Sequence, residues 1–465
     1  MRPSRVPMLF LLRLRRTPLR DWPLLELGVA EASAVYMIAF LASAALGILR
    51  QVLLNARFGL GPEAAAYYAA FRLPETVTVL IAGGALTNAL VPVLLRAEAT
   101  QREKGESDSD GAVRLVNRAL TALLAGFAPL CVVAALGAPA FVRYILAPGF
   151  DPATQELTAT LTRIMLLEVL LVISEAALVS LLVSRNQVLL PALAIMLRNL
   201  TLIGGVLLAY AVPAVGIYGP TVGSILDALI QLVILVPGLR RRGYVPRLDF
   251  APRDPDLRAA ARLLAPNALS AGVNYGGSIL DTAFASLSGV TAAVGALFNA
   301  LLLIGLPIRL LGMAIGQATL PAAAALGIQG ERQALGRLLR GTLLVACGLA
   351  VCAAVALLLL GRPVIGLLFE RGAFDQAAGD LTYQLLAIYA LGLPAYVATE
   401  IATRALLARH DARTPLLANL VQLACRAALC ATLLGPLGPA AIPAAFALSS
   451  AVETAILLLA LRLRA

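Results

Sequence analysis

The sequence has few charged and ionisable side chains, and this scarcity excludes several kinds of functional site. Only 14% of the 465 residues are charged, Lys104 is the only lysine, and His410 is the only histidine. A zinc site, a Ser-His-Asp triad and a histidine proton relay are therefore disfavoured, because each needs more such groups. The five cysteines all lie in apolar stretches without paired metal spacing, so they are interpreted as small core residues. We predict no enzymatic activity, no metal and no cofactor.

Apolar residues dominate what is present. They make up 60% of the chain, whereas soluble domains have about 45–50%. The net charge of +11 comes almost entirely from arginines. These arginines lie between apolar segments rather than in one patch, which argues for membrane topology and against nucleic-acid binding. The composition predicts an all-α polytopic membrane protein.

About twelve apolar segments are long enough to span a bilayer. Arginines concentrate in the loops that follow even-numbered segments, so the positive-inside rule places both termini in the cytoplasm. The polar stretch 240–257 is predicted to be a cytoplasmic linker. It separates a lobe of six helices at 31–239 from a second lobe of six at 258–465, and residues 1–30 are interpreted as a cytoplasmic lead-in.

The two predicted lobes contain an internal repeat. The stretch LGAPAFVRYILAPGFD ends at Asp151 and LGRPVIGLLFERGAFD ends at Asp375, an offset of 375 − 151 = 224 residues. Pro191 and Pro415 are separated by the same offset, 415 − 191 = 224. An even number of helices in each repeat implies parallel lobes related by an axis along the membrane normal.

Two similar ten-residue motifs also occur, GGALTNALVP at 83–92 and GMAIGQATLP at 312–321, and they are called the repeated phrases below. Small residues at these spacings let helices approach closely in lipid. We predict that the phrases let helices pack and slide at a gate, and ordinary packing of Gly- and Ala-rich helices is the alternative. The candidate gate residues are Gly83, Gly84, Asn88, Gly312, Gly316 and Gln317.

Prolines interrupt four of the predicted spans. They are Pro74, Pro266, Pro307 and Pro394. Each removes a backbone hydrogen bond, so a kink is predicted at each position.

Several stretches together carry a resemblance to a known family. They are ALGILRQVLLNARFGLGPEAAAYYAAFRLPETVTVLIAGGALTNALVP at 45–92, TAFASL at 282–287, LGMAIGQATLP at 311–321 and the segment 367–415 that begins LLFERGAFD. The sequence resembles the MviN/MurJ lipid II flippases, which share a superfamily with the MATE exporters. The resemblance implies a carrier in the bacterial cytoplasmic membrane that moves an undecaprenyl-pyrophosphate-linked glycan across the bilayer by alternating access. It further implies that the protein contacts membrane lipids and that a coupling cation or the membrane potential drives transport.

Candidate substrate-binding residues follow from this resemblance and from spacing. Arg50 and Arg72 match cationic cavity residues of the family. Along the seventh segment Asn267, Asn274 and Asp281 recur every seven residues and share one helical face. In the eighth, Asn299 and Arg309 are further candidates, and Arg309 is a predicted partner for an anion or for Asp281. The alternative is that these polar groups only hydrogen-bond neighbouring helices.

Two acidic residues allow a second pair of interpretations. Glu168 or Glu400 could hold a coupling proton or sodium ion, or form structural ion pairs with Arg198 or Arg426.

The chain also departs from the family at expected charged positions: it has Ala44, Thr78 and Val79 where the family has basic residues, and Leu301 and Leu302 where the family has an Asp-Arg pair. Two alternative functions therefore stay open. One is a related carrier for another polyprenyl-linked saccharide or an amphiphile, and the other is a transport-dead scaffold for cell-wall synthesis.

Overall fold

The computed structural model describes residues 28–82, 85–103, 108–241, 243–251, 253–329, 332–409 and 411–463. Its helices in the first part of the chain are α1 (Val29–Phe58), α2 (Pro62–Ala82), α3 (Ala85–Glu103), α4 (Asp108–Phe141), α5 (Pro152–Ser184), α6 (Leu189–Ala211) and α7 (Tyr218–Arg241). They continue as α8 (Pro255–Leu287), α9 (Ala293–Pro307), α10 (Ala314–Gln329), α11 (Arg332–Phe369), α12 (Gln376–Leu391), α13 (Leu393–Ala408), α14 (Arg413–Leu437) and α15 (Ala441–Leu463). Among these described residues the single β-type contact is a bridge between Arg371 and Phe374, so the prediction of an all-α fold is confirmed.

The helices are those of a polytopic membrane protein. Eight described helical stretches are long and apolar enough to cross a membrane, and a bent pair formed by α12 and α13 would make nine. One of the eight, Arg413–Arg462, is 50 residues long and contains both α14 and α15. A single crossing needs about 20 residues, so this stretch is long enough for two. The predicted number of twelve spans is not confirmed by this count.

Two of the predicted proline kinks coincide with irregular backbone. Pro307 is the last residue of α9, and a π-helical turn at Ile308–Met313 connects it to α10. Pro394 is the second residue of α13, whose axis bends by 50° from that of α12. A proline lacks the N–H that would continue a helix, so a break at each site has a local cause.

The repeated loops adopt equivalent local structures. The Asp375 side chain caps α12 by accepting a hydrogen bond from the Ala378 N–H at 2.8 Å. Asp151 occupies the same position before α5 and accepts from the Thr154 N–H at 3.1 Å. The side-chain hydrogen bond from Thr154 is the main reason why the pKa of the Asp151 carboxyl lies below its ordinary value. A cap of this kind satisfies an N–H that has no partner within the helix.

The prolines of the repeat also occupy matching positions. Pro191 is the third residue of α6 and Pro415 the third residue of α14. A proline in the first turn removes no internal hydrogen bond, because the N–H groups there have no helical acceptor. The 224-residue offset therefore joins equivalent positions at two helix starts as well as at two loops.

The chain packs into two compact units. Unit 1 holds the residues up to Leu54 together with Ala70–Pro139 and Thr158–Gly272. Unit 2 holds Asn55–Ala69, Ala140–Leu157 and the residues from Val273 onward. The lobes at 31–239 and 258–465 stay a prediction, and the lead-in at 1–30 lies almost entirely outside the described residues.

Each unit has its own apolar core. In unit 1 the core includes Leu94, Val116, Ile173 and Leu235, from α3, α4, α5 and α7. Helix α13 lies near the centre of unit 2 and packs against both α11 and α15. Leu339, Leu406 and Leu457, one from each of these helices, belong to a shared buried cluster. Their burial removes apolar surface that the unfolded chain would expose.

The linker after α7 is fastened to one face of α4 within unit 1. Arg118 Nε donates to Asp249 Oδ2 at 2.8 Å, and Arg118 also pairs with Asp254. The Asp249 N–H donates to Thr121 Oγ1 at 3.0 Å, and Asn117 Nδ2 donates to the Val245 carbonyl at 2.9 Å. Residues 117, 118 and 121 share a helical face, so α4 presents them together to the linker.

Candidate functional site

In unit 1, a group of buried acidic side chains lies within electrostatic range of Arg50. Glu168 on α5 and Asp227 on α7 are 4% and 1% exposed. Arg198 Nε on α6 is 3.6 Å from Asp227 Oδ2, and Arg198 and Arg50 both act electrostatically on Glu168. The charge of Arg50 thus acts on carboxyl groups of its own unit, and an anionic ligand at Arg50 would compete with them.

Sequence reasoning had not identified Asp227 as part of this group. Gln231, one turn later on α7, donates its Nε2–H to Asp227 Oδ2 at 2.9 Å. The available signal was a single aspartate in an otherwise apolar segment, where an ionisable side chain is expensive and marks a functional or structural site. Glu168 was predicted to form an ion pair with Arg198; the charge of Arg198 acts on Glu168, but the carboxyl group that its guanidinium approaches is that of Asp227.

Arg72 is engaged within its own helix. Its side chain is 8% exposed, and its Nη1 atom is 3.2 Å from Glu75 Oε2, one turn further along α2. Because a buried guanidinium needs such a partner, this pair accounts for the charge without a ligand. To bind an anion, Arg72 would have to break its contact with Glu75 or contact Glu75 and the anion at the same time.

In unit 2, Asn299 forms a buried amide pair. It is fully buried, and Asn55 Nδ2 donates to Asn299 Oδ1 at 3.0 Å, while Asn299 Nδ2 donates back to Asn55 Oδ1 at 3.3 Å. The Tyr68 hydroxyl donates to the same Asn55 oxygen at 3.2 Å. These bonds satisfy polar groups that would be costly to bury alone. The arrangement is the one predicted by the alternative, structural interpretation of Asn299.

Asp281 pairs with Arg426 and not with Arg309, which corrects the predicted partner. The carboxylate of Asp281 on α8 accepts a hydrogen bond from Arg426 Nη2 on α14, and the two side chains are 6% and 7% exposed. The Arg426 guanidinium lies 4.1 Å from the centre of the Phe446 ring. Gly277 precedes Asp281 by one turn, and a Cβ there would be 2.8 Å from Arg426 Nη1. A glycine is therefore what lets the guanidinium reach its partner.

A polar pocket of about 190 Å³ adjoins this ion pair in unit 2. Two carboxyl groups, Glu400 and Glu453, and two amides, Asn419 and Gln422, are among the groups that line it. Glu400 was predicted to pair with Arg426. Instead, its Oε2 atom lies 3.2 Å from Arg404 Nη2. No group of three His, Cys, Asp or Glu side chains among the described residues is arranged to hold a metal.

Arg309 and Asn274 are the remaining candidates of this group. Arg309 lies in the π-helical turn and is exposed. Within the described part of the chain its guanidinium is in no hydrogen bond or ion pair, so its charge is available to a ligand. Asn274 belongs to α8, and its side chain, like that of Asn267, lies outside the described part of the structure.

The glycines of the second repeated phrase make close helix contacts, whereas its amide does not. A Cβ at Gly312 would lie 3.1 Å from Glu400 Cβ, and one at Gly316 would lie 2.6 Å from Arg404 Cδ. The absence of a side chain thus lets this segment approach α13 closely. Gln317 is exposed, as is Asn88 in the first phrase, and Gly83 and Gly84 lie outside the described residues. Close packing therefore rests on small residues, without a central amide.

Comparison with known proteins identifies the family. The family model described as "Lipid II flippase MurJ" matches residues 54–465. The chain belongs to the lipid II flippase MurJ family. Its relatives include the "Probable lipid II flippase MurJ" of Rhizobium meliloti (strain 1021), which is 31% identical over 417 residues, covering 88% of this chain and 76% of the relative. The "Lipid II flippase MurJ" of Burkholderia cenocepacia is 28% identical over 381 residues, or 81% of this chain and 72% of the relative.

Solved structures support the same fold. The chain is similar to a lipid II flippase MurJ in an inward closed conformation, with a TM-score of 0.75, 21% identity and coverage of 92% of this chain and 87% of that one. It is also similar to an inward-facing multidrug resistance MATE transporter, with a TM-score of 0.75, 17% identity and coverage of 91% and 94%. Membership of the MurJ family makes this chain a membrane transporter rather than an enzyme, and the predicted resemblance is confirmed.

Proposed function

We propose that this protein translocates lipid II, the undecaprenyl-pyrophosphate-linked peptidoglycan precursor, across the bacterial cytoplasmic membrane by alternating access, with both termini in the cytoplasm. The observation that carries the proposal is the match to the lipid II flippase MurJ family over residues 54–465. The relatives from Rhizobium meliloti and Burkholderia cenocepacia are both named as flippases of lipid II. The alternatives of another lipid-linked cargo or a transport-dead scaffold are not favoured, because neither relative carries such a name.

The chemistry of the cargo explains why such a protein needs polar groups within the membrane. A pyrophosphate and a sugar-peptide head group cannot enter hydrocarbon without a large desolvation cost. A guanidinium can offer a phosphate two parallel hydrogen bonds. In unit 2, Arg309 is exposed and leaves its donors available, and we assign it to head-group contact. In unit 1 the same role falls to Arg50, whose charge the cargo would share with Glu168 and Asp227.

The remaining candidates support the site rather than bind the cargo directly. Arg72 can contact a ligand only if its ion pair with Glu75 is broken or is shared with that ligand. Asp281 and Asn299 hold helices of unit 2 in place through Arg426 and Asn55. Gly312 and Gly316 allow the close packing of α13 that a sliding gate requires. A coupling cation or the membrane potential supplies the energy for net movement, since a charged head group responds to the potential.

The proposal is tested by replacing the lipid II flippase of a host bacterium with this protein and measuring lipid II in the outer leaflet. We expect rescue by the unaltered chain and a loss of at least tenfold for Arg309→Ala, with Arg309→Lys retaining part of the activity because it keeps the charge. Arg371→Ala is the matched control, since Arg371 is an exposed arginine of unit 2 whose side chain donates to the Leu367 carbonyl.

Membrane expression of each variant is measured in parallel with transport. No rescue by the well-expressed unaltered chain would refute lipid II as its cargo. Full rescue by Arg309→Ala would instead agree with lipid II as the cargo but show that residues other than Arg309 contact its head group. Collapse of the membrane potential in the rescued cells should stop transport if the potential is the driving force.

A further inference from the structure

A groove between α11 and α15 of unit 2 has a cationic end and an apolar body. Its volume is about 580 Å³, within the range of about 300–1,000 Å³ that is typical of small-molecule sites. The apolar part is lined by Leu339, Leu343, Leu344, Cys347, Leu458 and Leu461. Helix α13 packs against both α11 and α15, and Arg409, which directly follows α13, contributes to the lining of the groove. The concave shape distinguishes this surface from an ordinary lipid-facing helix.

The sequence places the lining residues on matching faces of the two helices. On α11, Gly336, Arg340 and Leu344 follow each other at intervals of four residues, which is close to one helical turn. On α15, Leu458 and Arg462 have the same spacing. Each helix therefore directs one stripe toward the groove, and in both stripes the arginine comes at the end of the membrane-spanning segment.

Guanidinium groups converge at one end of the groove. Arg340, Arg409 and Arg462 line the groove itself, and Arg337 lines a connected recess that shares Gly336 and Arg340 with it. No acidic side chain is among the described lining residues of either cavity. Arg340 and Arg462 lie at the start and end of candidate membrane spans, Gly336–Phe369 and Arg413–Arg462. Such span ends lie at the depth of lipid phosphates, where arginines are attracted to anionic head groups.

The length of the groove matches one lipid leaflet. Eleven residues of α11 separate Gly336 from Cys347, and at about 1.5 Å per residue they extend about 16 Å. One leaflet of the hydrocarbon core is about 15 Å thick. Leu344 in the groove wall is 67% exposed, so the groove is open along its side to the acyl region. An acyl chain fits this length, whereas a long polyprenyl chain would extend well beyond Cys347.

We propose that this groove is a binding site for one anionic membrane phospholipid, whose phosphate contacts Arg340 and Arg462 and whose acyl chain lies along Leu343, Leu344 and Leu458. The site is separate from the residues assigned to cargo transport, so it does not depend on the proposed function. If the arginines only fixed the ends of the spans at the membrane surface, no concave groove would be needed, and no lipid would bind along its leucines.

The site is tested by native mass spectrometry of the purified full chain with phosphatidylglycerol added at a fixed ratio. Each basic group near an anionic surface contributes roughly a fivefold factor in affinity, so Arg340→Gln/Arg462→Gln should bind about 20- to 30-fold more weakly. Arg240→Gln/Arg413→Gln is the charge-matched control, because both arginines are exposed and line neither cavity. Equal binding by both double variants would overturn the proposal.

Two further measurements separate this site from general charge attraction. Leu344→Trp fills the groove without changing any charge, so it should displace phosphatidylglycerol even if the arginine variant does not fold. Phosphatidylcholine should bind the unaltered chain much less than phosphatidylglycerol, because its head group has no net charge. Retention of lipid by Leu344→Trp would overturn the proposal, as would binding of undecaprenyl phosphate with none of phosphatidylglycerol.

Discussion

Removing one partner of the buried ion pair between Asp281 and Arg426 should destabilise unit 2 strongly. The two side chains are 6% and 7% exposed, so in Asp281→Asn the guanidinium would keep its charge in a low-dielectric environment without a carboxylate. Loss of one partner from a buried pair costs about 3–5 kcal/mol, mostly because the remaining charge is uncompensated. The Phe446 ring at 4.1 Å offsets only part of this cost, since such a contact contributes about 0.5–2 kcal/mol.

Replacing both partners should be far less harmful than replacing one. In Asp281→Leu/Arg426→Leu no charge remains to be desolvated, and an apolar pair of suitable size is often neutral or stabilising by about 1–4 kcal/mol relative to the ion pair. The double variant should therefore lose at least about 3 kcal/mol less than the sum of Asp281→Leu and Arg426→Leu measured singly, a coupling at the upper end of measured values.

The measurement is a double-mutant cycle on the purified protein in detergent, with unfolding followed by thermal and denaturant-induced loss of the monomeric species. Asp380→Asn serves as the control, because its carboxylate accepts from Arg362 at 2.7 Å but is 62% exposed. An exposed pair of this kind contributes about 0–1 kcal/mol. If Asp281→Asn costs no more than Asp380→Asn, or if the double variant is as unstable as the sum of the single ones, the reasoning is wrong.

Two further predictions concern packing and the linker. Gly312→Leu should reduce the free energy of unfolding by about 1–3 kcal/mol through overpacking, whereas Gly305→Leu, with no atom within 4 Å of its Cβ position, should cost less in the same thermal assay. Asp254→Asn should make the linker more sensitive to trypsin at neutral pH, and Asp256→Asn should not, because Asp254 is one of the two carboxylates that pair with Arg118 whereas Asp256 is not. Burial alone would raise the pKa of Asp254, but hydrogen bonds from the backbone and from Arg118 outweigh it and hold that pKa below its ordinary value. The protection is therefore fully present above the ordinary pKa of about 3.9 and is lost as the pH falls through the lower value of the folded state; protection that instead disappears on raising the pH would contradict this assignment.

Local features of this chain could be predicted because their causes lie within a few residues. The aspartates of the repeated loops cap the helices that follow them, since an aspartate before a helix accepts hydrogen bonds from the first-turn N–H groups. The break near Pro394 and the π-helical turn after Pro307 arise where a backbone donor is missing. The close approach at Gly312 was likewise visible as a small residue at a helix-packing spacing.

Pairings between distant residues were predicted less well. Asp281 was expected to find Arg309, 28 residues away by 309 − 281 = 28, but its partner is Arg426 at a separation of 145. Arg426 had been considered as a partner for Glu400, which instead pairs with Arg404 one turn along the same helix. In a membrane protein many helices offer a cation at a compatible depth, so periodicity shows which face a polar group occupies and leaves its partner open.

Three properties can be read from the amino-acid sequence alone: the protein is helical and membrane-embedded, it carries a 224-residue repeat, and its motifs resemble one flippase family. These properties depend on composition, on period and on residues close together in the chain. Two features depend on the tertiary fold: Asn299 is hydrogen-bonded to Asn55 across 244 residues, and Arg340, Arg409 and Arg462 line one groove. The physical reason is that helix packing selects each contact from many of similar local energy, and that selection requires the whole chain.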